Sequence, residues 1–133
     1  MFNALYRVAD WLRRRSYAGN HGRLGEDYAH RFLRHRGCIV VARNYRPPAG
    51  SGEIDLVVWH GKTLAFVEVK TRFSDEYGAP EAAVDSGKRL ALERAAREYS
   101  RRSGVEWKRT RFDIVSVLLE RRVRIAWQQD AFR

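Results

Sequence analysis

The sequence predicts an α/β domain built on a mixed β-sheet that is flanked by helices, and three observations predict it. After an amphipathic N-terminal segment, the hydrophobic patterns follow the order helix, three strands, helix, two strands. Both faces of the central pair of strands are apolar, which indicates a helical layer on each side of the sheet. A length of 133 residues with 44% hydrophobic residues suits a single core and leaves a second domain unexpected.

The first segment, residues 1–18, is predicted to be an additional amphipathic helix, and the domain itself is expected to cover residues 20–133. Its apolar residues recur at three- and four-residue spacing: Phe2, Leu5, Val8, Ala9 and Leu12. The arginines Arg13, Arg14 and Arg15 follow this pattern at once. The helix either packs on the domain or serves as an arm that binds a membrane surface or DNA.

A second helix is expected from about Arg23 to Arg36, with Glu26 in its first turn and Gly37 as its stop. The segment "CIVVARNY" after Gly37 is rich in β-branched residues and predicts the first strand. The prolines and glycines of "RPPAGSG" then predict a loop.

The runs "EIDLVVWH" and "TLAFVEVKT" flank Gly61 and Lys62, whose leading glycine suits a two-residue type II′ hairpin turn. Alternation then divides the hairpin into two faces. One face is predicted to carry Ile54, Leu56, Val58, Ala65, Val67 and Val69, and the other Val57, Trp59, Leu64 and Phe66. A long helix should begin near Asp85 or Ser86 and end near Gly104. The last two strands, "RFDIVSVLLE" and "RVRIAWQ", should join near Arg121.

The net charge of +10 and the pI of about 10.5 favour a polyanionic partner, with nucleic acid as the first candidate. A general bias towards arginine, which supplies most of the basic residues, is the alternative explanation. The single cysteine, Cys38, excludes an intramolecular disulfide, lies in an apolar stretch and fits a reducing cytoplasm. An apolar run long enough to span a membrane is missing, so integral membrane association is not expected.

The hairpin also brings charged residues together. With a turn at Gly61 and Lys62, Asp55 should lie opposite Glu68, and Glu53 opposite Lys70, on one face of the sheet. Two facing carboxylates need a cation or a shared proton, and Lys70 favours their ionised state. A site that offers only a few oxygen ligands suits Mg²⁺ or Mn²⁺ rather than Zn²⁺. Such a site beside a lysine suits phosphodiester hydrolysis. The alternative is that both carboxylates lie at exposed strand ends and that Glu53 simply pairs with Lys70.

These residues resemble a known superfamily. The segments "EIDLV" and "FVEVK" are similar to the PD-(D/E)XK nuclease core, with Asp55, Glu68 and Lys70 in its acidic and lysine positions. The bacterial YraN-like family is resembled more closely, through "GRLGEDYA", "GEIDLV", "FVEVKTR", "KRLALERAAREY" and "RFDIV" in this order. The resemblance covers roughly residues 20–132.

The resemblance implies a restriction-endonuclease-like αβββαβ core and a likeness to archaeal Holliday junction resolvases of the Hjc type. It maps a metal-site glutamate of the first helix onto Glu26, which could otherwise only stabilise a helix N-terminus. It places Lys88 near a phosphate, although a solvated lysine would fit the sequence equally well, whereas Asp113 is expected to be structural.

The expected function is Mg²⁺- or Mn²⁺-dependent hydrolysis of DNA, including branched DNA or Holliday junctions. Asp55, Glu68 and Glu26 would bind metal, and Lys70 would orient the nucleophile. Symmetric junction cutting would need a homodimer. The alternative is a non-catalytic nucleic-acid-binding module with the same fold, in which Arg43, Arg46 and Arg72 are among the arginines that contact phosphates.

Overall fold

The computed structural model describes residues 21–48, 50, 52–73 and 86–132. The predicted N-terminal helix, residues 1–18, lies outside the described residues, as does Asp85, one of the two expected starts of the long helix. The division into this helix and a domain of residues 20–133 therefore stays a prediction.

The described residues form an α/β fold with one five-stranded mixed sheet, which confirms the predicted class. Its elements are helix α1 (His21–His35), strands β1 (Ile39–Tyr45), β2 (Ile54–His60) and β3 (Thr63–Arg72), helix α2 (Ser86–Ser103), a 3₁₀ helix (Trp107–Arg109), and strands β4 (Thr110–Leu119) and β5 (Val123–Gln128). The strands lie in the order β1-β2-β3-β4-β5. Among the strands that the structure describes, only β3 and β4 run parallel, because α2 carries the chain back between them.

Helix α1 ends where the sequence predicts. Gly37 has φ +85°, a left-handed conformation that glycine adopts without strain. The backbone N–H of Cys38 donates to the carbonyl of Leu33 at 3.0 Å, and that of Gly37 donates to Arg34 at 3.1 Å. These bonds satisfy the last carbonyls of the helix and turn the chain into β1.

Each face of the sheet is covered by one helix, as its two apolar faces predict. Leu24, Tyr28 and Leu33 of α1 pack on one face, in a cluster that includes Val67 and Val115. On the opposite face, α2 contributes its own apolar residues to a second cluster, which consists of Ile54, Val57, Leu64, Phe66, Leu92, Ala95, Ala96, Phe112, Ile114 and Phe132. None of the described helices is long and apolar enough to cross a membrane.

The central hairpin has the predicted turn and register over most of its length. Gly61 has φ +61°, and the pairs run from His60 with Thr63 to Leu56 with Val67. The ladder then stops, so the predicted pairs of Asp55 with Glu68 and Glu53 with Lys70 are wrong as backbone pairs. Instead, an oxygen of the Asp55 carboxylate accepts the Val69 N–H at 2.8 Å. A side chain thus takes the place of the backbone where the two strands part.

Ile54 was predicted to share a face with Leu56, but it packs in the cluster under α2 instead. Strand β1 has an irregular backbone at the same point. Asn44 lies between the partners of these two residues and has φ +51°, a left-handed value that interrupts the regular pleat. The period of two therefore fails at the start of β2, directly beside Asp55.

Candidate functional site

The predicted site residues come from four elements that meet at one end of the sheet. Glu68 and Lys70 lie in the second half of β3, and Asp55 lies near the start of β2. Glu26 lies in the second turn of α1, and Lys88 lies in the first turn of α2. Segments distant in the chain thus converge on the C-terminal end of β3.

Glu68 and Lys70 are both buried in the interior of the protein. By the alternation of β3 they lie on the same side as Leu64 and Phe66, the side that α2 covers. Glu68 is 5% exposed and Lys70 7% exposed, and the Lys70 Nζ lies 3.4 Å from the Glu68 Oε1. The sequence left open the alternative that the carboxylates lie at exposed strand ends. The burial of Glu68 contradicts this alternative for that residue.

A second lysine reaches the same carboxylate oxygen. The ammonium group of Lys88 contacts Oε1 of Glu68, so two amines from different elements converge on one atom. The sequence prediction placed Lys88 near a phosphate and missed this contact. One available signal was that the chain has only four lysines among its 26 basic residues.

Asp55 carries the largest electrostatic perturbation of the site. Burial, followed by the negative charge of Glu68, raises the pKa of Asp55 to about 8, although the hydrogen bond from Val69 opposes the shift. The charges of Glu26 and Glu53 act in the same direction. The carboxylates at this end of the sheet therefore repel one another, as the sequence predicts, and a divalent cation would relieve that repulsion.

The two lysines respond in opposite directions. Burial, together with a hydrogen bond from Lys88, lowers the pKa of Lys70 even though Glu68 opposes the shift. Burial also acts to lower the pKa of Lys88, but hydrogen bonds to Glu68 and Lys70 outweigh it, so that pKa is raised. The surroundings therefore favour the protonated form of Lys88 and disfavour that of Lys70.

Glu26 approaches this end of the sheet from the opposite side, because it belongs to α1. Its Oε1 lies 4.0 Å from the Arg43 Nη2, and a hydrogen bond to Asn44 acts on its carboxyl group. Burial is the main cause that raises the pKa of Glu26. The Oε1 atom is buried and has no hydrogen-bond partner among the described residues. Glu26 therefore carries a carboxylate oxygen that can still accept a ligand.

Two glycines let the helices approach the site. A Cβ on Gly25 would lie 1.9 Å from the Thr71 Oγ1, so only glycine allows α1 to pack against the end of β3 at this point. A Cβ on Gly52 would lie 2.6 Å from the backbone oxygen of Ala91, and Gly52 has φ +107°. The position of Glu26 beside β3 depends on the first of these contacts.

The arginines that were predicted to contact phosphates have protein partners. Arg43 forms an ion pair of 2.7 Å with Asp27, and Arg46 binds Glu53 through two nitrogens. The Nη1 of Arg72 donates to the carbonyl of Thr71 at 2.9 Å. Glu53 therefore binds Arg46 rather than Lys70, which corrects the pair expected from the register. Arg46 is 75% exposed, so its position still suits a phosphate contact at the surface.

The donor set suits a cation that takes few protein ligands. Among the described residues, no group of three or more Asp, Glu, His or Cys side chains is close enough together to hold a metal ion. Two carboxylates, Asp55 and Glu68, remain as candidate ligands. Mg²⁺ binds commonly through one or two carboxylates and keeps several waters. The site fits Mg²⁺ or Mn²⁺ in this way.

The order of elements, with carboxylates and lysines at the end of β3, matches the restriction-endonuclease-like core that the sequence resemblance implies. The chain belongs to the uncharacterised protein family UPF0102, the YraN-like family, whose family model matches residues 25–117.

Curated relatives support this membership. The UPF0102 protein of Solibacter usitatus is 63% identical over 132 residues, which cover 99% of this chain and 100% of the relative. The UPF0102 protein of Koribacter versatilis is 49% identical over 75% of this chain and 69% of its own length. That of Dictyoglomus thermophilum is 40% identical over 75% of this chain and 83% of its own length.

Proposed function

We propose that the protein is a metal-dependent nuclease that hydrolyses phosphodiester bonds of DNA, including branched DNA such as four-way junctions. The observation that carries the proposal is that the buried Glu68 acts on the half-buried Asp55 through its negative charge, with the Lys70 Nζ 3.4 Å from the Glu68 Oε1. Carboxylates that repel each other in a buried site favour a divalent cation, for which we propose Mg²⁺ or Mn²⁺. The net charge of +10 supports a polyanionic substrate.

Each residue of the site has a defined part in this proposal. Asp55 and Glu68 would hold the cation, which supplies charge stabilisation at the phosphate and acidifies water. Lys70 lies beside Glu68, and its amine would orient the attacking water. Glu26 would bind and orient water through its unsatisfied oxygen rather than act as a direct ligand.

A test compares the protein with variants that change charge but little volume. Labelled duplex, single-stranded and four-way-junction DNA are incubated with Mg²⁺ or Mn²⁺ and with wild type, Asp55→Asn, Glu68→Gln or Glu106→Gln. Glu106 is 62% exposed in side chain and pairs with Lys108 away from the site, so it serves as the matched control. We expect cleavage by wild type and by the control alone. Equal cleavage by all four proteins would assign the activity to a contaminant or another site.

Lys88 and Lys70 favour a second candidate function. Because both already neutralise Glu68, the fold could serve as a nucleic-acid-binding module without turnover. DNA binding that weakens steeply with salt, with no Mn²⁺ bound in calorimetry, would identify this function. For junction cutting we further propose a homodimer in the cytoplasm, where the lone buried Cys38 stays reduced. Sedimentation that shows only monomers, even with junction DNA, contradicts the dimer.

A further inference from the structure

Lys88 differs from Lys70 in how freely it can leave Glu68. The side chain of Lys88 is 43% exposed, whereas that of Lys70 is 9% exposed, and both amines lie at the same carboxylate oxygen. Lys70 belongs to a central strand with neighbours on both sides. Lys88 belongs to the first turn of α2, from which a long flexible side chain can turn into solvent.

We infer that Lys88 is a displaceable counter-ion of Glu68. It neutralises this carboxylate while the site lacks metal, and a divalent cation that binds Glu68 releases its amine to contact a phosphate of the nucleic acid. The inference rests on the proposed function, because it takes the cation at Asp55 and Glu68 as given. It adds that metal and Lys88 compete for one oxygen and that metal binding creates a phosphate contact.

The competition follows from charge and position. A cation on Glu68 would lie within a few ångströms of the Lys88 amine, at a distance where positive charges repel strongly in a partly buried site. The same cation supplies the charge neutralisation that Lys88 supplies in its absence. Since Lys70 is held by its strand, the more exposed Lys88 is the amine that yields.

The choice of lysine over arginine fits this role. The chain contains only four lysines among 26 basic residues, yet two of the four contact Glu68. A guanidinium would bind the carboxylate through two parallel hydrogen bonds and would be harder to displace. A lysine ammonium is a compact point charge that forms and breaks such a contact more easily.

Calorimetric titration with Mn²⁺ tests the competition without any measurement of cleavage. Lys88→Met keeps most of the side-chain volume and removes the charge, and we expect its Mn²⁺ affinity to rise about tenfold, the size of one charged hydrogen bond. Lys88→Arg should bind Mn²⁺ more weakly than wild type. Lys108→Met is the matched control, because Lys108 is 80% exposed and lies before β4, at the opposite end of β3 from Lys70.

The sign of this effect separates competition from structural damage. A lysine that only stabilises the fold would, when replaced, leave Mn²⁺ affinity unchanged or lower it, and either result overturns the inference. If Mn²⁺ binds wild type in an Asp55-dependent way but Lys88→Met has no effect, the metal site stands and the inference fails. If neither wild type nor Lys88→Met binds Mn²⁺, the metal site fails with it.

DNA binding supplies the second half of the test. Fluorescence anisotropy of a labelled duplex is measured in EDTA and in Ca²⁺, which takes oxygen ligands like those of Mg²⁺. In Ca²⁺, Lys88→Met should bind less tightly than wild type, and its salt dependence should correspond to about one phosphate contact fewer. In EDTA the two proteins should bind alike, because Lys88 is held by Glu68. An equal loss of affinity under both conditions would contradict displacement by the metal.

Discussion

Two acidic sites in neighbouring strands of the sheet differ in how their carboxylates are satisfied. Asp113 of β4 is 0% exposed, and Arg111 binds both of its oxygens, at 2.7 and 2.9 Å. It also accepts the Trp127 Nε1–H and the Asp130 N–H, each at 3.0 Å. Asp55 and Glu68, by contrast, face each other's charge, with one backbone hydrogen bond to Asp55 and two lysines at Glu68.

The difference separates an acid that stabilises the fold from acids that can bind a ligand. Asp113 has donors arranged around both oxygens, so a cation would have to displace a bidentate arginine to reach it. Asp55 still experiences the negative charge of Glu68, and the partners of Glu68 are the amines of Lys70 and Lys88. Under-satisfied buried carboxylates beside titratable amines are typical of functional sites. The contacts of Asp113 thus agree with the structural role that the sequence predicts for it.

The largest expected effect is on stability and tests whether Asp113 stabilises the fold. Asp113→Asn leaves the Arg111 cation, which is 15% exposed, without its counter-charge. We expect the free energy of unfolding to fall by about 3 to 5 kcal/mol, the usual cost of breaking a buried ion pair by removing one partner. Urea denaturation followed by circular dichroism measures it. A midpoint within error of wild type would show that Asp113 is not the structural acid described above.

The second prediction concerns Asp55, an acid of the proposed metal site. In Asp55→Asn, the proposed DNA cleavage should fall on the order of a hundredfold or more, because a cation ligand is lost. The unfolding midpoint at neutral pH should stay the same or rise, because the variant removes a carboxyl group that burial and Glu68 disfavour in its charged form. Gel assays and urea denaturation of the same preparation measure both. Loss of stability on the scale of Asp113→Asn would erase the distinction between the two sites.

The sequence predicts most of the fold because local patterns determine it. Gly61 defines a two-residue turn, and that turn sets the register of β2 with β3 from His60 to Leu56. The helices follow from their apolar spacing, and Gly37 ends α1 as predicted. The end of the ladder could not be predicted in this way. The ladder ends where the Asp55 carboxylate accepts the Val69 N–H, and a pattern of period two does not encode a side chain that replaces a backbone partner.

The sequence pattern predicted only the part of the candidate site that lies on the hairpin of β2 and β3. Register and alternation bring Asp55 near Glu68 and place Lys70 on the same side as Glu68, and the structure brings these residues together. The contact of Lys88 with Glu68 depends on how a crossover helix packs across the sheet. The pairing of Glu53 with Arg46 depends on where the chain leaves β1. Neither tertiary detail is contained in the periodicity of a single segment.

A smaller effect on stability is expected at Gly25, the residue before Glu26, where α1 packs against the C-terminal end of β3. Gly25→Ala would place a Cβ 1.9 Å from the Thr71 Oγ1 and 3.0 Å from both the Cβ and the Cγ2 of this β-branched side chain, so more than the hydroxyl group must move. We expect a loss of about 1 to 3 kcal/mol in unfolding free energy, as for other overpacked positions. Differential scanning calorimetry measures the loss as a lower melting temperature.

The same helix supplies a control at Gly22, where a Cβ would meet no atom of the described residues within 4 Å. Gly22→Ala should leave stability unchanged or raise it by up to about 1 kcal/mol, since alanine is the better helix former. The contrast matters for function as well. If Gly25→Ala keeps full stability, α1 can shift away from Thr71, and Glu26 would lose its fixed place beside the Asp55–Glu68 pair.

The last prediction concerns the pH dependence of stability in EDTA. Asp55 has an ordinary pKa of 3.8 and a folded pKa of about 8, so between these values the folded protein holds a proton that the unfolded chain has lost. Its stabilising contribution is therefore complete below the lower value and is lost as the pH rises through the higher one. Glu26 acts in the same direction with a raised pKa, while the lowered pKa of Lys70 acts in the opposite one.

Comparison with Asp55→Asn isolates the contribution of Asp55 from those of the other groups. Wild type should lose stability relative to the variant between about pH 5 and pH 8, because only wild type must give up the bound proton over this range. Urea midpoints across that interval measure the difference. Parallel curves for wild type and Asp55→Asn would mean that Asp55 is already ionised in the folded protein, and its repulsion by Glu68 would then be relieved without any metal.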